Sequence, residues 1–321
     1  MSLRISSAAF LIAVIAAANV AAQEFPARPL KIVQGFAAGG NADTASRILA
    51  NEMTKTLGQP IVVETKPGAA STIAADSVAK APADGHTLLL VTGGHAVAGA
   101  LYKSLPYQTV DSFEMISTAT FFPFLVIARS DLQAQSLRAL LDMARAKPGA
   151  VAYGSAGIGA TQHLTGELLS GMSGAKFLHV PYKGDTGALA ALLGGEIQFV
   201  IAPATAALGQ LRAGKLRALA ATGSVRWQGM PEVPTVAESG VAGFDVRSWM
   251  GVATTRGTPR AAVERLNAAM LRALQVAEVR ARFEEMGGEV RGSTPEEMRA
   301  RVATELQKWS KVISEARIER Q

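Results

Sequence analysis

The chain has 321 residues, 49% apolar and 18% charged, which is material for a sizeable core and length for two domains. Its 32 Lys and Arg against 26 Asp and Glu leave a net charge of +6 that is dispersed, with no basic run and no basic–aromatic interleaving, so the clustered stripe of a nucleic-acid binder is absent. No cysteine occurs, which excludes disulfides, thiolate zinc and iron–sulfur sites, a cysteine nucleophile and a lipid-modified N-terminal cysteine.

Residues 1–22 read as a secretory signal peptide. Arg4 gives a short positive region, Ala8 to Ala18 an apolar stretch shorter than the ~20 residues a bilayer needs, and Val20 and Ala22 the small residues of a cleavage site. No later segment is long and apolar enough to span a membrane. The expected product is exported and soluble, and begins near Gln23.

Pro29 to Gln34 then reads as a short strand ending in Gly35-Phe-Ala-Ala-Gly-Gly40. Asn41 is placed to cap a helix running to about Leu57, with Ile48, Leu49 and Met53 as its apolar stripe. Pro60 to Thr65 is a second strand, Lys66 to Ala70 a loop, and Ser71 a cap for a helix to about Lys80. His86 to Val91 is a third strand, followed by a Thr92-Gly-Gly-His95 turn. Three rounds of apolar strand, turn and capped helix are the βαβ signature of an open parallel sheet. Phe121 to Ala128 is a further apolar run, and Ser136 caps a helix carrying Leu137, Leu140 and Leu141.

The pattern restarts at Val151 to Tyr153, which runs into Gly154-Ser-Ala-Gly-Ile-Gly-Ala-Thr161 and a helix with Leu164, Leu168 and Leu169. Strands at 177–180, 197–201 and 216–221, with helices at 187–193 and 206–213, complete a second α/β unit. Arg247 to Ala253 is a strand returning to the first unit. Thr258 caps the next helix with Pro259 at its first position. Thr294, Pro295 and Glu297 form a capping box for the last, whose face is Met298, Val302, Leu306, Trp309 and Ile313.

Candidate chemistry is sparse. His86, His95, His163 and His179 show no i,i+4 zinc spacing, and neither a P-loop nor a nucleophile elbow occurs. The glycines of 154–159 miss the dinucleotide spacing, and no acidic residue ends the next strand. No metal or cofactor is expected. Asp43 and Asp84 read as turn or capping residues, Lys183 as a solvated turn lysine or an anion receptor, and Trp227, Trp249 and Trp309 as packing. What remains are Gly-rich turns entering helices. Such turns aim free backbone N–H groups and positive dipole ends at one spot, which attracts carboxylate or phosphate. Two facing sheets with such turns at their strand ends would grip a small dianion.

The stretches Phe36 to Asp43, Val63 to Ala70, Ala81 to Leu89, Tyr153 to His163, His179 to Gly184, Leu193 to Gly195 and Pro231 to Gly240 carry a resemblance. Through them, nearly all of residues 25–321 is similar to the extracytoplasmic solute-binding proteins of tripartite tricarboxylate transporters, the Bug/TctC family. The resemblance implies an α/β, two-domain periplasmic binding protein of the Venus-flytrap type. Each domain would be a mostly parallel sheet flanked by helices, with an interdomain cleft. Domain 1 would be 23–122 plus 246–321 and domain 2 residues 123–245.

It also implies a small carboxylate ligand, membrane components of the transporter as partners, a monomer, and no enzymatic turnover. Carried over by position, the ligand contacts are Phe36, Ala38, Gly39 and Gly40; Ala69, Ala70 and Ser71; and Ser155, Gly159, Ala160, Thr161 and Gln162, with His95 either at the mouth or a turn histidine bonded to backbone. The chain departs from the family pattern at Gln198 and Ala202 to Thr205, where many members carry aspartates; their absence is a slight argument against an amino-acid ligand. Ala70-Ser71, where a further glycine is common, implies a slightly narrower cleft. The alternatives are an exported α/β enzyme acting on an organic acid, with Ser155 and His163 as its one proposable pair, and a sensor docking on a signalling receptor.

Overall fold

The computed structural model describes residues 25–315 and 318–321; the signal peptide expected at 1–22 lies outside them. β1 (Leu30–Gln34), β2 (Ile61–Thr65) and β3 (Thr87–Thr92) pair in parallel in the order β2-β1-β3. They are joined by α1 (Asn41–Leu57) and α2 (Thr72–Ala79), and α3 (Gly93–Leu101) follows. The apolar run of β3 is buried throughout, as a central strand requires, whereas β2 at the sheet edge leaves Val62 exposed.

The same arrangement recurs. β5 (Val151–Ser155), β6 (Phe177–Pro181) and β7 (Phe199–Pro203) are parallel in the order β6-β5-β7, and each is followed by a helix: α5 (Thr161–Ser173), α6 (Asp185–Gly194) and α7 (Ala204–Arg212).

Two long strands join the halves. β4 (Phe113–Arg129) pairs antiparallel with β9 (Arg247–Thr255) from Phe113 to Pro123. From Phe124 onward it pairs with β7 and with β8 (Leu216–Ala221) instead. β9 also pairs antiparallel with β3. The path is therefore β2-β1-β3-β9-β4-β7-β5-β6, two parallel three-stranded groups bridged by antiparallel strands. The remaining elements are α4 (Leu137–Ala146), α8 (Arg260–Ala273), α9 (Ala277–Glu285), β10 (Glu289–Val290) and α10 (Pro295–Glu315).

Local signals operate where no tertiary contact competes. The Ala139 N–H donates to Ser136 Oγ at 3.2 Å, capping α4. The α10 box closes in both directions: the Glu297 N–H donates to Thr294 Oγ1 at 3.1 Å and the Thr294 N–H to Glu297 Oε2 at 2.9 Å. On α10 Met298, Val302, Trp309 and Ile313 are buried. Trp249 is buried on β9 and donates its Nε1–H to Glu305 Oε2 at 2.8 Å. Trp227 lies against Gly229 and Gly287.

Other local expectations are corrected. Gly40, not Asn41, is the N-cap of α1, and Asn41 is its first helical residue. Ser71 sits at the N-cap of α2 with φ 76° and makes no capping bond. α8 starts at Arg260 with Pro259 as N-cap, and Thr258 Oγ1 donates instead to the Thr255 carbonyl at 2.8 Å. Thr92 to His95 is the start of α3 rather than a turn. β4 begins eight residues before the apolar run at Phe121. There two register shifts break the period-2 pattern, and Ser117, Thr118 and Thr120 are buried.

Replacing the cap, Thr294→Ala, is expected to cost about 1 kcal/mol; a lower urea midpoint at unchanged slope checks it.

Candidate functional site

The carboxyl ends of β1 and β3 face those of β5, β6 and β7 across a cleft of about 490 Å³, opening included. Its walls are the starts of five helices: Gly40, Asn41 and Ala42 of α1, Thr92 and Gly94 of α3, Thr161 and Gln162 of α5, Gly184, Asp185 and Thr186 of α6, and Pro203 before α7. Phe122 and Phe124 of β4 and Ser248 and Met250 of β9 also line it, with Phe36 and Ala37 at the side.

No side chain caps any of these five helices. α8 and α9 also start without a side-chain cap, so convergence rather than the missing cap distinguishes the five. The N–H groups of Asn41, Ala42, Gly94, Thr161, Gln162, Asp185 and Thr186 have no acceptor among the described residues. Each helix start carries roughly half a positive charge, so the backbone turns positive dipole ends toward the cleft; no described Lys, Arg or His lines it, and Asp185 is its one formally charged lining side chain.

The turns that place these amides are held from behind. Gln34 is fully buried at the end of β1; its Nε2 donates to Thr65 Oγ1 at 2.9 Å and its Oε1 accepts the Phe36 N–H at 2.8 Å. Asp43 Oδ2 accepts the Gly39 N–H and Arg47 Nε–H, both at 3.0 Å. Burial works against the Asp43 charge, but the Arg47 and Gly39 bonds outweigh it and keep the carboxyl below its usual range. Asp84 likewise serves a turn, accepting the His86 N–H at 3.0 Å and Arg28 at 2.7 Å.

The halves are in contact around the cleft. Thr205 Oγ1 of α7 donates to Asn41 Oδ1 of α1 at 2.8 Å. Ala70 packs with Ala156 and Ala160. A Cβ on Gly184 would lie 3.4 Å from that of Ala37, and one on Gly93 would lie 3.2 Å from Thr161 Oγ1.

Among the expected contacts, Phe36, Gly40, Thr161 and Gln162 line this cleft. Ala69 and Ala70 line an adjacent hollow together with Phe36, Tyr102 and Lys183. Ala38 and Gly39 are exposed outside both, and Ser71 is buried under Gly35. Ala160 is the buried N-cap of α5, and Gly159, at φ 80°, faces Tyr102 and Ala70.

His95 is not at the mouth. It is buried in α3, donates its Nε2–H to the Thr109 carbonyl at 2.8 Å and stacks on Tyr107, and burial lowers its pKa to about 4. Ser155 is fully buried, and its Oγ lies 2.7 Å from Nε2 of His179 rather than against His163. The two histidines stack at 4.1 Å. Burial lowers the pKa of His163 to about 4; burial and then His163 lower that of His179 to about 3. This neutral cluster supports the β5–α5 turn from below: Ser155 Oγ accepts the Gly157 N–H at 3.1 Å.

Sequence reading missed Asp185. Its Oδ1 accepts Gln162 Nε2–H at 2.9 Å, and burial, partly offset by that bond, raises its pKa to about 6. An acid in the cleft removes the argument drawn from Gln198 and Ala202 to Thr205 against an amino-acid ligand. Gln198 itself lies before β7 and accepts the Ala152 N–H at 2.7 Å. The available signal for Asp185 was Gly184, a glycine immediately before a helix, as Gly40 is before α1.

The model of the tripartite tricarboxylate transporter family receptor matches residues 45–318. The chain belongs to this family. Its fold is that of the two-domain periplasmic binding proteins. The solved periplasmic binding protein BugD is 35% identical, with TM-score 0.88 over 92% of this chain and 100% of that one. A Rhodopseudomonas palustris protein solved with adipate is 33% identical, with TM-score 0.88 over 91% and 98%. MatC from the same organism, solved with bound malate, is 35% identical, with TM-score 0.85 over 90% and 100%.

A Cβ on Gly35 would lie 2.4 Å from Ser71 Cα, a backbone contact that no rotamer relieves. Gly35→Ala is therefore expected to displace the 69–71 turn and to destabilise the protein by about 1–3 kcal/mol. Adding Ser71→Gly should recover part of the loss in thermal melts, since it removes the side chain while keeping φ accessible.

Proposed function

We propose that the chain is a periplasmic solute-binding protein that encloses a small organic carboxylate and presents it to the membrane components of a tripartite tricarboxylate transporter. The observation that carries this reading is the set of unpaired amides from four helix starts, α1, α3, α5 and α6, converging on one enclosed place, with no basic side chain lining it among the described residues. Bound adipate and malate in related structures support the ligand class. Export rests on the leader at 1–22 and on the family; among the described residues no helix is long and apolar enough to cross a membrane.

The proposed domains are 23–122 with 246–321, and 123–245. The change of partner along β4 between Pro123 and Phe124 supports the first crossing, and Arg247 starting β9 supports the second. Closure needs no covalent chemistry: a ligand that touches both halves favours the closed state by that difference in contacts. The protein acts as a monomer and a carrier, without turnover of what it binds.

A thermal-shift screen of mono-, di- and tricarboxylates tests the reading. A true ligand at ~100 times its Kd should add ~2.7 kcal/mol to stability. Thr161→Glu, which places the protein's own carboxylate at the α5 amides, should abolish the shift while the ligand-free protein still melts cooperatively. Stabilisation by sugars but by no carboxylate would refute the ligand class.

A further inference from the structure

Asp185 is the one formally charged side chain among the residues that line the cleft. Only one of its oxygens is occupied: Oδ1 accepts from Gln162 at 2.9 Å, while Oδ2 has no partner and the residue enters no ion pair among the described residues. It stands at the start of α6, where an acid is favoured by the helix dipole. A helix acid of that kind normally faces solvent, where its charge is hydrated. Here the carboxyl is turned across to α5, in a place where Phe36, Phe122, Phe124 and Met250 supply neither counter-charge nor hydration.

An anion binding at the amides of α1, α3 and α5 would be repelled by this carboxylate unless it also brings compensation. A hydroxyl would supply a hydrogen bond but leave the second negative charge in place. An ammonium supplies both, and a charge-assisted bond to a half-buried carboxylate is the strong kind.

On the reading that the cleft takes carboxylates, we infer that its preferred ligands are amino-group-bearing carboxylates, with Asp185 receiving the ammonium and the helix starts receiving the carboxylate. Asp185 is then the residue that sets specificity, rejecting plain acids by leaving its charge unpaired.

The groups around Asp185 do not compete for this role. Lys183 is exposed and lines the neighbouring hollow. His163 and His179 lie behind the β5–α5 turn and are neutral above about pH 4. Thr205, from the adjacent α7, is committed to Asn41. With its pKa raised to about 6, Asp185 loses its charge as the pH falls below that value, and affinity for an ammonium falls with it.

Three skeleton-matched trios decide the matter, each differing in one substituent: succinate, malate and aspartate; glutarate, 2-hydroxyglutarate and glutamate; phenylpropionate, phenyllactate and phenylalanine. Titration calorimetry on the full mature protein should show, in at least one trio, the amino member binding about tenfold or more tighter than both others. Asp185→Asn should erase that preference and improve the plain acid. Between pH 8 and 5 the wild-type affinity for the amino member should fall, while that of the variant stays flat.

Plain or hydroxy acids binding as tightly as their amino counterparts would overturn the inference and leave the carboxylate reading intact. So would an amino preference that survives in Asp185→Asn. No binding by any member would overturn the inference, and the wider carboxylate screen then decides the reading on which it rests. If Asp185→Asn does not fold, Asp185→Ser serves the same comparison, and the wild-type ranking and its pH dependence decide without either.

Discussion

The N–H groups at the starts of α1, α3, α5 and α6 are the donors on which the cleft depends. A helix cannot satisfy its first amides from within, and here the sequence withholds the usual remedy, with Gly40, Thr92, Ala160, Gly184 and Pro203 at the five N-caps making no capping bond. Donors of this kind lose no side-chain entropy on binding and do not titrate. They also stand close together, because glycine thins the wall: Gly93 and Gly94 let α3 come against Thr161, and Gly184 lets α6 come against Ala37. The cost is four helix ends left uncompensated until a ligand arrives. That cost is tolerable because each of these helices is anchored elsewhere by apolar packing, as by Ile48, Leu49 and Met53 on α1.

The amides can converge only because two similar βα units face each other, and β4 enforces that. Between Pro123 and Phe124 it leaves β9 for β7 and β8 without ending. Buried Thr222 holds the changeover: its Oγ1 accepts the Phe124 N–H at 2.9 Å and donates to the Val246 carbonyl at 2.7 Å, tying both crossing segments together. Phe122 and Phe124, two residues apart and so on one face of the strand, project into the cleft from the same point. The floor of the cleft is thus the same segment at which β4 passes from one half to the other.

Most of this architecture was legible in the sequence because strand, glycine turn and helix repeat with strong periodicity, and the α1 span and the α10 capping box came through as read. The failures share a cause. α3 begins Gly-Gly, poor helix formers, and is helical because the opposite half needs the backbone that close. The first half of β4 hides its register behind two bulges and buried Ser and Thr, whose partners Arg291 and Ser293 are some 170 residues away. Asn41 is a good capping residue by type, but its Oδ1 is taken by Thr205 of the other half. Gly184 marked the turn but not the role of Asp185, which lies in Gln162 and the apolar wall, neither of which is near it in the chain. Local rules hold wherever the competing partner is water and fail where it is a residue distant in the chain, on the same half for β4 and across the cleft for Asn41 and α3.

The turn at Ala69, Ala70 and Ser71 follows the same logic. All three have positive φ, at 44°, 51° and 76°, a left-handed run without a glycine. Each such residue costs about 1–2 kcal/mol, so the conformation persists only if its surroundings impose it. Two contacts do so. Gly35 presses its backbone onto Ser71 from the same half, and Ala156 and Ala160 close over Ala70 from the other. The left-handed run is thus held from both halves at once, so the turn that flanks the cleft takes its shape from packing across it rather than from its own residue types.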